Sequence, residues 1–529
     1  MGFRFIFLNI IFFSLFSGLV FNLYNLQVED ANYYFEKVKV RADYQEQLEL
    51  RRGEIFFNDK NNNNIAVAIN RDSPVVFASP KDIENSKEAA RKLSESLDLE
   101  ISNLEESFNN KDRLFKLLVD KATEEQIEKI KELGLEGIHI SYKQYRYYPY
   151  SSLASTLLGF VGVNENIDKA SGLYGLELFY EEELSSGDDV YLTIDRNIQS
   201  EVEKIINNLM EDFDAVGASA IVQNPETGEI LAMASVPGFD PNEYSEYPIG
   251  NFINPNVQYV YEPGSVFKPL TMSMGIDKGV ITPETTYFDT GSITLNGRTI
   301  RNWNLKANGL ITMTNVIEKS VNTGAAFAGE KVGKESFIEY LEKYGFSAPT
   351  GIDVKNEVSG SINNLKSNNF REVDLATASF GQGTSVTPIQ MVSSYSVIAN
   401  GGLLMKPILN NNKSPEIIRR VIKEETAKQV IEMMESAVEK ARVAAIDGYS
   451  VAGKTGTAQV PDFQNGGYSD QYIHNFVGFA PASDPQFTIL IKLDKPNVDL
   501  AGITVVPAFK DLAQFILNYY NINPDKLTQ

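Results

Sequence analysis

Pro263-Gly264-Ser265-Val266-Phe267-Lys268 is the stretch on which the reading of this chain turns. Ser265 and Lys268 are three residues apart, so on one helical turn their side chains share a face. A serine hydroxyl is a poor nucleophile until a base takes its proton. A lysine one turn away serves, provided desolvation or another cation lowers its pKa. Pro263-Gly264 sets Ser265 at a helix N-terminus, where backbone N–H groups help to stabilise an oxyanion. Alone the pair says little, because at average residue frequencies it arises by chance roughly twice in a chain this long.

What the chain lacks makes the pair matter more. It has 529 residues, no cysteine and two histidines, His139 and His474, far apart in sequence. Thiol catalysis, disulfides and Cys-ligated zinc are excluded, and a Ser-His-Asp triad or a His-rich metal site has almost no raw material. No metal or other cofactor is expected. Hydrophobic residues make up 43% and charged residues 22%, the balance of folded protein. The net charge of -22 argues against nucleic-acid binding, which needs clustered Lys and Arg. A soluble acidic surface is its simplest meaning.

Two further elements strengthen the pair. Ser320-Val321-Asn322 offers a hydroxyl and an amide between helical segments. Lys454-Thr455-Gly456-Thr457 lies in a strand-like run, Val451 to Val460, where a lysine charge and two hydroxyls suit a substrate carboxylate. Gly456 would let a substrate backbone approach the strand edge. Gly448 to Thr455 also matches the phosphate-binding P-loop pattern literally. A P-loop turns into a helix after its Lys-Thr, whereas Gly456 to Val460 reads as strand, so the match is a decoy.

From Phe5 to Val28 there is no charged residue, a length that suits one bilayer-spanning helix. Arg4 precedes it and Glu29 and Asp30 follow it, which keeps the N-terminus in the cytoplasm and sets the rest outside. A cleaved signal peptide is the rival, disfavoured by the length of the run and the lack of an Ala-x-Ala-like exit. The division predicted is a cytoplasmic tip over 1–4, an anchor over 5–28, a membrane-proximal α/β domain over 29–187 and a catalytic domain over 188–523.

Within the membrane-proximal part, Arg52 to Phe56 opens a strand. Lys81 to Leu133 reads as helical, with Leu114, Leu117 and Leu118 at helical spacing. After Asp189 the texture changes. Val190 to Ile194 reads as strand and Gln199 to Met210 as amphipathic helix, and Asn224-Pro225-Glu226-Thr227-Gly228 is the turn of a hairpin. Strands, then helices from Ser265 to Asn400, then strands again predict an α+β fold, a sheet covered by helices. His474, placed just before a strand from Phe476 to Ala480, reads as structural. Trp303 and the tyrosines read as core and groove-lining residues.

With Ser265/Lys268, Ser320/Asn322 and Lys454/Thr455/Gly456 in that order, the chain resembles penicillin-binding proteins and class A β-lactamases. From the anchor onward it resembles a class B penicillin-binding protein. Further matching pieces are Arg52-Gly53, Gly175-Leu176-Glu177, Leu192 to Asp195, Thr227 to Met233, Gly381-Gln382-Gly383 with Thr387-Pro388, Ala399 to Gly402, and Phe476 to Pro481. A longer turn at Asn58 to Asn61 departs from the family's usual Asp-Arg-Asn-Gly-like one.

The resemblance implies a β-lactamase-like antiparallel sheet flanked by helices, behind an elongated membrane-proximal pedestal or dimerisation domain. It implies a D,D-transpeptidase that attacks the D-Ala-D-Ala bond of peptidoglycan stem peptides through Ser265. Lys268 is then the base, Ser320 and Asn322 relay protons and position substrate, and Lys454, Thr455 and Thr457 bind the terminal carboxylate, with Gly456 in the same substrate-binding run. The backbone N–H groups of Ser265 and Thr457 form the oxyanion hole. Implied partners are stem peptides and their lipid-linked precursor, β-lactams as inhibitors, a membrane glycosyltransferase and a second copy of the chain.

Septal synthesis is favoured over side-wall elongation by the compact catalytic domain and by Pro507-Ala508-Phe509-Lys510. A D,D-carboxypeptidase, a β-lactamase or sensor, and a non-catalytic scaffold are the remaining alternatives. No chain-polymerising activity is expected.

Overall fold

The computed structural model describes residues 2–24, 51–164, 169–462 and 466–526. It contains two compact units that interleave along the chain. One comprises Met1–Arg52, Ile69–Tyr147 and Ser185–Gly187, the other Gly53–Ala68, Tyr148–Leu184 and Asp188–Gln529.

The apolar N-terminal run is helical as α1 (Gly2–Tyr24), 23 residues long. Its described side chains, Phe7 and 12–24, are exposed, with Phe12 and Phe13 more than 70% accessible. Among the described residues no helix is long and apolar enough to cross a membrane. The end of the predicted span at 25–28, with Glu29 and Asp30 behind it, lies outside the described residues, as does the start of the membrane-proximal domain up to 50.

Strand β1 (Ile55–Asn58) belongs to the second unit, and β2 (Ile65–Ala78) passes into the first at Ile69. There β2 is followed by α2 (Ser86–Leu97), α3 (Ile101–Asn109), β3 (Lys116–Val119), α4 (Glu124–Leu133) and β4 (Ile138–Tyr147). Both β3 and β4 pair antiparallel with β2. The helices begin where the sequence supplies caps. Asn85 Oδ1 accepts the Glu88 N–H, and Thr123 forms a reciprocal capping box with Gln126. Val76, Leu93, Phe108, Ile127 and Ile130 form the core. Leu117 and Leu118, assigned to a helix on spacing, sit instead on β3, where Leu117 is opposite Phe77. Three leucines in a run of five fit a helical stripe as readily as a short strand, and pairing with β2 decides between them.

The second unit is built on a five-stranded antiparallel sheet. β5 (Val190–Asp195) precedes it and runs parallel to β1. Asp195 then caps α5 (Arg196–Asp212), accepting the N–H groups of Asn197 and Ile198 at 2.8 and 3.1 Å. The expected hairpin joins β6 (Gly217–Gln223) to β7 (Ile230–Val236). After the helical middle of the chain come β8 (Ala452–Pro461), β9 (Tyr468–Ala480) and β10 (Phe487–Asp494). The sheet order is β8-β9-β10-β6-β7, which puts β8 at an edge.

Period-two alternation divides the sheet's side chains between two cores. Ala218, Ala220 and Val222 of β6, with Ile489 and Ile491 of β10, meet Ile198, Val202 and Ile206 of α5. Phe509, Leu512 and Ile516, from the C-terminal helix over Val505–Tyr519, complete that side. Truncating Leu512 or Ile516 to alanine would cost about 2–5 kcal/mol. Ile221, Leu490 and Val477 point the other way, into the helical core that carries the site. That core is centred on α6 (Lys268–Asp277), where Leu270, Met272 and Met274 are all inaccessible, the pattern of a helix enclosed by protein.

Candidate active site

Ser265 lies in a 3₁₀ turn, Gly264–Phe267, that runs directly into α6. It is half-buried, whereas Lys268 is 0% exposed. Lys268 Nζ is 3.1 Å from Ser265 Oγ. It also lies 2.7 Å from the Ser320 carbonyl, 3.0 Å from Ser320 Oγ and 2.8 Å from Asn322 Oδ1. Desolvation, and then the charge of Lys454, hold its pKa well below that of an ordinary lysine. No carboxylate pairs with it among the described residues. A neutral amine has two N–H donors and one lone pair. The Ser320 carbonyl and Asn322 Oδ1 take the donors, which leaves the lone pair for a hydroxyl proton.

The Ser320 turn is held in an unusual conformation. Ser320 has φ of 55° between α7 (Met313–Glu318) and α8 (Asn322–Val332). Backbone strain of this kind clusters at functional sites. Asn322 Nδ2 donates to the Arg301 carbonyl at 2.9 Å, which fixes the amide so that Oδ1 faces Lys268.

Lys454 is 5% exposed on the edge strand, and burial lowers its pKa to about 8. Its polar contacts are the carbonyl and Oγ1 of neighbouring Thr455, at 3.1 and 3.2 Å. A desolvated cation with spare donors beside two half-buried threonines, Thr455 and Thr457, suits an anion brought by a ligand. Gly456 has a role that spacing did not reveal. A Cβ there would come within 2.4 Å of Asn475 Oδ1 and 2.8 Å of the Pro263 carbonyl. The missing side chain lets β8 pack against the Ser265 turn. Asn475 Nδ2 in turn donates to Pro263 O at 3.2 Å.

The structure thus brings Ser265, Lys268, Ser320 and Asn322 into one hydrogen-bonded cluster, and the charge of Lys454 reaches Lys268. Three supports were not assigned from sequence. Gly381 closes in behind the Ser265 turn: the Gly264 N–H donates to its carbonyl at 2.9 Å, and a Cβ on Gly381 would meet Gly264 O at 2.2 Å. Glu262 accepts the Gly383 N–H at 3.0 Å and the Tyr468 hydroxyl at 2.8 Å. Asn475 is the third, and only strand pairing, opposite Gly456, brings it to the turn. The doublet of glycines at 381 and 383 was the one available signal.

Two sequence readings are corrected. Trp303 is 63% exposed rather than core, its Nε1 donating to the Lys319 carbonyl at 3.2 Å. His474 lies inside β9 rather than before a strand. It is fully buried with Nδ1 3.0 Å from Thr504 Oγ1, and burial pushes its pKa to about 4. After Lys454-Thr455 the chain continues as strand to Pro461, so the P-loop pattern has no helix to serve.

A family described as "Penicillin binding protein transpeptidase domain" matches residues 218–514, and one described as "Penicillin-binding Protein dimerisation domain" matches 48–209. Stage V sporulation protein D of Bacillus subtilis is 31% identical over 528 residues, spanning 90% of this chain and 80% of that protein. Peptidoglycan D,D-transpeptidase FtsI of Escherichia coli is 28% identical, over 95% of this chain and 89% of that one. Among solved structures, apo penicillin-binding protein 3 of Mycobacterium tuberculosis aligns with a TM-score of 0.65 at 29% identity, covering 73% of this chain and 93% of that one. With both domain families matched in tandem and relatives aligned nearly end to end, the chain belongs to the class B penicillin-binding proteins.

Proposed function

We propose that the chain is a serine-type peptidoglycan D,D-transpeptidase, and the observation that carries this is the buried, carboxylate-free Lys268 amine 3.1 Å from Ser265 Oγ. Lys268 accepts the Ser265 proton as Oγ attacks the carbonyl carbon of the penultimate D-alanine. The backbone N–H groups of Ser265 and Thr457 hold the tetrahedral oxyanion. Collapse breaks the C–N bond, and the proton passes through Lys268 and Ser320 to the departing D-alanine amine. An amine of a neighbouring stem peptide then attacks the acyl-Ser265 ester, and Ser265 regains its proton. Asn322 positions the donor peptide, while Lys454, Thr455 and Thr457 hold its terminal carboxylate, with Gly456 keeping the strand close. β-Lactams acylate Ser265 by the same route.

The uncharged run 5–28, helical over its described part, supports a single-pass anchor with the N-terminus in the cytoplasm and the catalytic unit outside. Residues 29–187 then serve as pedestal and dimerisation domain, and 188–523 as the transpeptidase domain. A membrane glycosyltransferase supplies the glycan strands. We assign the enzyme to septal wall synthesis. The sporulation protein among its relatives favours a second reading, in which it acts on wall made during spore formation.

Labelling with a fluorescent penicillin tests the chemistry. Wild type labels and Ser265→Ala does not. A folded wild type that stays unlabelled would sink the assignment. A tagged copy followed through division and through sporulation separates the two roles.

A further inference from the structure

A second polar cluster lies behind the site, organised by an acid that no sequence motif singles out. Asp289 ends the strand Thr286–Asp289 and is 0% exposed. Its Oδ1 accepts from the Gly291 N–H at 2.9 Å, from Asn302 Nδ2 at 3.1 Å and from the Thr323 hydroxyl at 2.8 Å. Its Oδ2 accepts from Asn302 Nδ2 at 2.9 Å and from the Asn308 N–H and Nδ2 at 2.8 and 2.7 Å. No lysine or arginine pairs with it among the described residues. Burial alone would raise its pKa, and donors from Asn308, Gly291, Thr323 and Asn302 outweigh that and hold it below the usual value. An inaccessible carboxylate satisfied wholly by neutral donors ties together segments that pairing alone does not.

Those segments are the ones that hold Asn322. Asn302 Oδ1 accepts the Thr323 N–H at 3.3 Å, and the Arg301 carbonyl beside it accepts Asn322 Nδ2 at 2.9 Å. On the far side Trp303 Nε1 donates to the Lys319 carbonyl. Residues 301–303 therefore run alongside 319–323, and Asp289 grips both segments, through Asn302 and through Thr323. Asn322 Oδ1 is delivered to Lys268 Nζ at 2.8 Å by this arrangement.

We propose that Asp289 is a positioning residue for the acylation reaction, acting through Asn302 and Thr323 to hold Asn322 against Lys268. This rests on the reading of Lys268 and Asn322 given above. Asp289→Asn turns one acceptor oxygen into a donor facing the donors of Asn302 and Asn308, so the grip is lost with little change in volume. Displacements of about an ångström at a reacting centre cost up to about 100-fold in rate.

The test uses the full chain and the second-order rate of acylation by a fluorescent penicillin. Asp289→Asn should slow acylation about 10- to 100-fold. The decisive readout is coupling. If Asp289 acts through Asn322, Asp289→Asn combined with Asn322→Ala is no slower than Asn322→Ala alone. Multiplying losses in the double variant would overturn the proposal, as would a wild-type rate in Asp289→Asn. Should Asp289→Asn fail to give a cooperative melt, Thr323→Val removes one donor isosterically and takes its place in the same cycle, with a loss of about 3- to 10-fold expected. Labelling of wild type that vanishes in Ser265→Ala, in the same series, keeps failure of this inference distinct from failure of the catalytic reading.

Discussion

Two buried lysines lie within reach of each other's charge, and the molecule treats them in opposite ways. Lys268 Nζ lies within hydrogen-bond distance of four oxygens of its own chain, two of Ser320, one of Asn322 and one of Ser265. Lys454 is almost as deeply buried, yet among the described residues its hydrogen bonds go to its neighbour Thr455 alone. Among the described residues neither pairs with a carboxylate, and desolvation depresses both, Lys268 with help from the positive charge of Lys454. The difference shows that burial alone does not define a lysine's job. An amine discharged by burial can act as a base, whereas a cation with idle donors can receive an anion from a ligand.

The comparison breaks first at Lys268. Lys268→Ala should slow acylation by about 10²–10⁴-fold, the usual contribution of a positioned base, measured by stopped-flow labelling. A loss smaller than that of Lys454→Ala would reverse the two roles. Lys454→Ala should cost about 10- to 100-fold, the worth of one charge-assisted contact. The loss should appear with carboxylate-bearing β-lactams and shrink when that carboxylate is esterified. An equal loss for both ligands would show that Lys454 does not read the anion.

A pH profile sharpens the contrast. The base must be neutral, so acylation rises with pH through the lowered pKa of Lys268. The receptor must be charged, so acylation falls above about pH 8 as Lys454 loses its proton. In Lys454→Ala the alkaline limb disappears. The acid limb moves to higher pH as well, because the cation that helped discharge Lys268 is gone. An unmoved acid limb would separate the two sites. The smallest effect is expected from Gly456→Ala, whose Cβ presses on Asn475 and Pro263 and should destabilise the fold by about 1–3 kcal/mol, read as a lowered melting temperature.

Much of this was legible from the residue string, for particular reasons. Lys454 to Thr457 reads as part of a strand-like run, and the amphipathic spacing from Gln199 gives α5, whose start at the Asp195 cap lies a few residues earlier. The Ser265-Lys268 pair needs only one helical turn. Asp289 and Asn475 were invisible because, Gly291 apart, their hydrogen-bond partners lie 13 to 212 positions away in sequence. Leu117 and Trp303 were misplaced because spacing and size describe what a residue can cover, not what arrives to cover it.

Gly456 and Gly381 have a consequence for drug resistance. Each lets a segment of backbone abut the turn that carries Ser265, and a single added carbon at either meets main-chain oxygen within 2.8 Å. A bacterium under β-lactam selection therefore has little freedom to reshape the pocket from behind the serine. Escape variants with workable enzymes should leave these two glycines alone.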